Sequence, residues 1–373
     1  MTESQERPLN AGSAEPHAGL ASRGGDDDPA GERECAQSML WPQPLPRRLA
    51  EEMAGCDSTA LTAVELKRAQ YPLDTAFREA WSDIQQRFGA GAPDALHRIA
   101  VIVFKPDAIV GRRVGASLDF MASSGFLPIG HATFAYTPAS ARDEWRYQWN
   151  QLTLDRIRLS TLVTIAGESL VVVFRDTSPA AGIPAAVRLQ ELKGPTLLEQ
   201  REAHHLRQIL RSRSRVLKFV HAPDEPADIV RTLGIAMSAP ARRRLLAHVR
   251  CALAEGRCDD PWPTIRRLEA ENPSHDLDFS VSLERVLASL RDIRQGSRER
   301  TASALIEALE QCRAGRRLRW REFERNVDRC GLPVDPWDLY VVGAETIQDG
   351  YDDEAPIVAK GGRDAWLSAR PHR

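Results

Sequence analysis

Ile99-Ala-Val-Ile-Val-Phe-Lys-Pro-Asp107 is an unbroken apolar run closed by a lysine, a proline and an aspartate. A run with no polar face reads as a β-strand covered on both sides. Pro106 biases Lys105 away from helical backbone and fixes the exit angle, so the ammonium projects from the strand end. More than a hundred residues later, Val216-Leu-Lys-Phe-Val-His-Ala-Pro-Asp224 repeats the form. A strand over 216–220 leads into His221, and Asp224 stands where it would cap a helix over 225–233. A phosphate on that imidazole would lie near the helix N-terminus, where backbone N–H groups favour negative charge.

Between these segments the pattern alternates. Val114–Ser124 sets Val114, Leu118 and Met121 on one helical face and stops at Gly125, a suitable C-cap. Phe126–Tyr136 reads as strand, Ser140–Leu152 as a helix anchored by Trp145 and Trp149, Ser169–Phe174 as strand and Ile183–Leu192 as helix. The order over 98–236 predicts an α+β unit, a ferredoxin-like antiparallel four-stranded sheet with helices on its face. Helical extensions are expected to flank it. Residues 41–97 read as a helical collar, with Phe77, Trp81, Ile84 and Phe88 along one stripe and Pro72 ending the helix before it. Residues 237–350 read as an α-helical C-terminal domain, with helices at Arg242–Glu255, Trp262–Glu271, Ser282–Arg294 and Thr301–Ala314. Residues 1–40 hold few large apolar groups and are expected to be a disordered tail, and 351–373 a loose one.

The 373 residues carry a formal net charge of −2, which excludes a general electrostatic grip on nucleic acid. The basic residues are almost all arginine, so the scarce Lys105 and Lys218 stand out from surface filler. The arginine-rich run 313–321 reads as a solvated face. No apolar run reaches the length of a membrane span and Met1–Arg7 has no signal-peptide core, so a cytoplasmic location without membrane contact is expected. The six cysteines form no CxxC and no zinc-like pairing, so free thiols and no metal site are expected.

Lys105-Pro-Asp107, Gly125-Phe126, Gly194-Pro-Thr196, Arg207 and His221-Ala-Pro-Asp224 follow one another in this order, and Arg207 lies eleven residues past Thr196. In these anchors, over residues 98–236, the chain resembles the nucleoside diphosphate kinase family. The resemblance implies that His221 is a phosphohistidine nucleophile and that Lys105, Thr196 and Arg207 bind nucleotide phosphates. It implies ATP or another nucleoside triphosphate as donor, a nucleoside diphosphate as acceptor, and Mg²⁺ carried by the phosphates with no protein metal ligand. It also leaves room for a homo-oligomer.

The chain departs from the family around these anchors. Lys218 stands at the family's asparagine, Pro223 at its serine, and Thr232 at the glutamate that orients the histidine. Gln190 stands at an arginine, which Arg188 is expected to replace as a phosphate ligand, with Lys218 as another. Tyr147 and Trp149 are candidates to stack on a nucleoside, although a core role is the stronger expectation for such aromatics. Two alternatives remain open at this point. One is a catalytically inactive nucleotide-binding or protein-interaction module, with a protein partner on the C-terminal helices. The other is a histidine phosphocarrier.

Overall fold

Four helices precede the first strand among the residues described by the computed structural model, which are Met53, Cys56 and 58–369 without Ala181, Arg294, Gln295, Asp352 and Asp353. The tail expected over 1–40, the start of the collar and the last four residues lie outside them. The helices are α1 (Ser58–Leu61), α2 (Glu65–Gln70), α3 (Thr75–Phe88) and α4 (Ala92–His97). Asp74 starts α3 by accepting hydrogen bonds from the N–H groups of Ala76 and Phe77. The apolar stripe of α3 then buries Phe77, Trp81 and Ile84.

The sheet unit follows as β1 (Ile99–Phe104), α5 (Pro106–Val110), α6 (Val114–Ser123), β2 (Phe126–Ala135), α7 (Pro138–Glu144), α8 (Leu154–Thr164) and β3 (Glu168–Asp176). It closes with α9 (Ala185–Lys193), α10 (Leu206–Ile209), β4 (Val220–His221) and α11 (Pro226–Ala236). The strands form one four-stranded sheet in the order β2-β3-β1-β4, with every neighbouring pair antiparallel. The run 99–104 is central and buried on both faces, as its lack of a polar face requires.

Alternate residues of β1 enter different cores. Ile99, Val101 and Val103 pack with α3, α11 and a further helix α12 (Ala239–Glu255), while Ala100, Ile102 and Phe104 face α5, α6, α9 and α13 (Trp262–Glu271). At the crossing of α11 with α3, a Cβ on Gly234 would stand 2.0 Å from the carbonyl oxygen of Ala76, so only glycine permits that approach. A third core joins Leu159 and Val163 of α8 to α14 (Phe279–Arg291), α15 (Gly296–Arg313), α16 (Trp320–Cys330) and α17 (Pro336–Thr346). A short α18 (Arg363–Ser368) ends the described chain. No helix among the described residues is long and apolar enough to cross a membrane.

The four-stranded antiparallel sheet, its helices and the helical extensions are therefore present, with three local corrections. The strand expected over 216–220 is reduced to Val220–His221, because Lys218 and Val220 donate back to the carbonyls of Val216 and Lys218 and Phe219 takes φ +63°. The helix expected over 140–152 ends at Glu144, and α8 was not expected. Arg156, Thr161 and Thr164 are buried on α8 beside its apolar residues, which blurs the amphipathic pattern. Finally, within the stretch after 350 that was expected to be loose, Val358 and Trp366 are buried, at 1% and 4% exposed.

Candidate active site

Lys105, Pro106 and Asp107 do more than end a strand. The N–H of Lys105 donates to the carbonyl of Phe219 at 3.0 Å, and the buried Asp107 Oδ2 accepts from the Phe219 N–H at 2.9 Å. These two bonds hold Phe219 at a positive φ that a bulky residue avoids. Burial of its ring, with the Arg113 guanidinium 5.6 Å from the centroid, offsets the strain. The clamp sets the exit of β4, so His221 pairs opposite Val103.

His221 is held on one side. Its Nε2 lies 3.0 Å from Oε1 of Glu144 and 3.4 Å from Oγ1 of Thr232, which itself donates to Glu144 at 2.7 Å. Glu144 is the last residue of α7 and is buried. Burial would raise its carboxyl, but the His221 charge and hydrogen bond, then Arg231 and Thr232, bring it below the usual range. A carboxylate on Nε2 selects the tautomer with the proton on that nitrogen. Nδ1 has no hydrogen-bond partner among the described residues.

His221 lines a cavity of about 520 Å³, and Lys105, Thr196, Arg207 and Lys218 line it too. Four of the expected phosphate ligands are thus gathered around the histidine. Arg188, the fifth, is not among the lining residues. Its guanidinium is bound to Asp176 at 2.7 Å and to the Ser124 carbonyl, and lies 4.5 Å from the Phe126 ring centre, where it ties α9 to the ends of β2 and β3. Asp224 is not a helix cap either. Glu225 holds the cap position of α11 without a cap bond, and Asp224 pairs with Lys193 at 3.3 Å. Burial would raise Asp224, yet Lys193 above all, with Lys67 and Lys360, holds it at about 2.

The cations of this cavity are under strain from one another. Arg207 is buried, donates through Nη1 to the Gly194 carbonyl at 2.6 Å, and leaves its Nε unpartnered; burial and Arg201 push it down to about 10. Lys193 donates to the Ala222 carbonyl at 2.9 Å, and burial pushes it down to about 8 against the pull of Asp224. Lys218 lines the cavity half-buried; loss of solvent around it, with Arg156, Arg207, Lys360 and Lys105 nearby, sets it well below the usual lysine range. Among the described residues Arg207, Lys218 and Lys360 have no carboxylate within ion-pair distance. Cations without a carboxylate partner around one cavity leave positive charge that an anion could neutralise.

The aromatic wall separates the two candidate stackers. Tyr147 is core: it stacks on Tyr71 with centroids 5.8 Å apart, beside the guanidinium groups of Arg146 and Arg231. Trp149 lines the cavity and lies parallel to Trp145, with centroids 6.3 Å apart. Sequence reasoning missed Glu144, Lys193 and Lys360. Lysine scarcity was the one signal that could have singled out the latter two; no local signal marks Glu144, which lies 77 residues before His221.

No family model matches the chain, and no curated protein matches it. Among solved structures it is similar to the nucleoside diphosphate kinase of Aquifex aeolicus, at 19% identity over 39% of this chain and 97% of that one, with a TM-score of 0.31. It is similar to an NDP kinase from Pyrobaculum aerophilum at 15% identity over 39% and 97%, again with a TM-score of 0.31. A halophilic nucleoside diphosphate kinase from Halobacterium salinarum in complex with CDP shares 14% identity over 38% of this chain and 89% of that one, with a TM-score of 0.31.

Proposed function

We propose that the chain binds a nucleoside triphosphate in this cavity and moves its terminal phosphoryl group through His221 to a nucleoside diphosphate, on a ferredoxin-like sheet of the nucleoside diphosphate kinase type. The observation that carries this reading is His221 itself, with Nε2 fixed by the buried Glu144 and its ring in a wall that also holds Arg207 and Lys218. Glu144, reaching in from α7, would do the orienting work that Thr232 cannot, and Thr232 supports it with a hydrogen bond.

In the first half-reaction the Nδ1 lone pair attacks the γ-phosphorus. The bond from that phosphorus to the bridging oxygen breaks, and the nucleoside diphosphate leaves with the electron pair. The proton stays on Nε2, where Glu144 balances the positive charge growing on the ring. In the second half a terminal oxygen of the acceptor diphosphate attacks the phosphorus, and the N–P bond returns its electrons to Nδ1. Lys105, Thr196, Arg207 and Lys218 would hold phosphate oxygens, and Trp145 and Trp149 offer an apolar wall to the nucleoside.

The resemblance implies magnesium carried on the nucleotide phosphates without a protein ligand, and the lining offers it no ligand set of its own among the described residues. Among the described residues no group of three His, Cys, Asp or Glu side chains could hold an ion. Of the lining carboxylates, Glu144, Asp224 and Asp228 are paired with His221, Lys193 and Lys67, and Glu354 stands exposed at the rim. No step is therefore assigned to a metal. The test is incubation with γ-labelled ATP: acid-labile, base-stable label that chases into added diphosphates is expected, and His221→Ala should abolish it while leaving a folded chain with a cooperative thermal transition. Undiminished label in that variant would overturn the assignment.

A further inference from the structure

The chain has five lysines among fifty basic residues, and four of them, Lys105, Lys193, Lys218 and Lys360, line this one cavity. A sequence that uses arginine nearly everywhere else places ammonium groups here. An ammonium is a compact, mobile point charge, whereas a guanidinium is a planar fork that dictates its partner's geometry. Two of these lysines are also spare. Lys105 faces Asp107 at 3.3 Å and Lys193 faces Asp224, but Lys218 and Lys360 have no carboxylate partner among the described residues.

We propose that the cavity takes its nucleoside phosphate as the metal-free anion, with Lys218 and Lys360 supplying the positive charge that a divalent cation would otherwise bring. This rests on the nucleotide reading above. With Arg207 they make three charges without a carboxylate partner among the described residues once an arriving anion has secured the proton on Lys218, and a nucleoside diphosphate carries about three negative charges at pH 7. Lys218 sits three residues before His221, in the turn clamped by Asp107. Lys360 comes from the C-terminal segment, which is fastened on both sides of it. Asn150 donates to the Ala355 carbonyl at 2.7 Å and accepts from the Ile357 N–H at 3.2 Å. Beyond Lys360, the Trp366 indole donates to the fully buried Glu225 at 2.7 Å. The lysine is thereby delivered to the rim, its side chain exposed and close enough to Lys193 and Lys218 to repel both. A metal ion on the phosphates would compete with these ammonium groups for the same oxygens, and Glu354 at the exposed rim is the one lining carboxylate without an ion pair among the described residues.

The test is calorimetric titration of the full chain with ADP, in EDTA and in Mg²⁺ at matched ionic strength. We expect affinity in EDTA equal to or tighter than in Mg²⁺. Lys218→Gln and Lys360→Gln should each weaken binding about tenfold in EDTA and by less in Mg²⁺. Lys360 is exposed, so that variant tests the inference even if Lys218→Gln fails to fold. Tenfold tighter binding in Mg²⁺ overturns this inference and leaves the nucleotide site standing. Absence of ADP binding under both conditions overturns the nucleotide reading and the inference with it.

Discussion

Replacing Glu144 by glutamine removes one charge and almost no volume. In the folded chain Oε1 faces His221 Nε2 at 3.0 Å and Thr232 Oγ1 at 2.7 Å, while Oε2 accepts from the Tyr136 hydroxyl at 3.3 Å. A glutamine can keep its oxygen toward His221 and Thr232 and turn its NH₂ toward Tyr136, whose oxygen can accept. The fold should survive. The imidazole, however, becomes positive as Nδ1 bonds to phosphorus, and the carboxylate stabilises that charge. Two unit charges about 4 Å apart in partly screened surroundings interact by about 4 kcal/mol. The remaining amide hydrogen bond returns part of this, so the net loss in the transition state should be about 2–3 kcal/mol, or about 30- to 150-fold in rate. Single-turnover uptake of label from γ-labelled ATP would measure it, with thermal unfolding as the control for folding. A rate within twofold of the unsubstituted chain would refute Glu144 as the group that prepares His221.

Two other expectations come from the buried charges. Because burial sets Lys193 at about 8 and Lys218 is also depressed, an arriving anion should raise both and draw in protons. ADP affinity should therefore fall between pH 7.5 and 9.5, by up to about tenfold per pH unit for each proton taken up; a flat profile would contradict this. Glu225 is fully buried and accepts from Lys67 at 2.8 Å, Thr62 at 2.6 Å, the Ala63 N–H at 2.9 Å and Trp366. Glu225→Ala strands these donors and should cost about 3–5 kcal/mol in urea unfolding; a loss below about 1 kcal/mol would show that the latch is not structural.

The sequence by itself determined the parts that depend on neighbouring residues. A run of six apolar residues with no polar face had to lie inside a sheet, and β1 does, with opposite sides in separate cores. The stripe of α3 and the helix of 262–271 were readable for the same reason, since 3.6-residue periodicity is local. The strand at 216–220 was misread because apolar content cannot report a backbone bond to a distant aspartate. Asp107, more than a hundred residues away, turns Phe219 into a positive φ and shortens the strand to two residues.

The site divides in the same way. Lys105, Thr196, Arg207, Lys218 and His221 were legible as residue types at set spacings, and all five face one cavity. Arg188 was not separable from them on spacing alone; only the folded chain turns it to Asp176 and Ser124, where the carboxylate and carbonyl satisfy it. Glu144 and Lys360 were invisible for the opposite reason. Each reaches the histidine or the cavity from an element with no sequence register to it, α7 in one case and the segment before α18 in the other. Chemistry that rests on residue type was written in the chain, whereas the pairing of charges that decides which groups remain free for a ligand is a property of distance, and distance between remote segments exists only once the chain has folded.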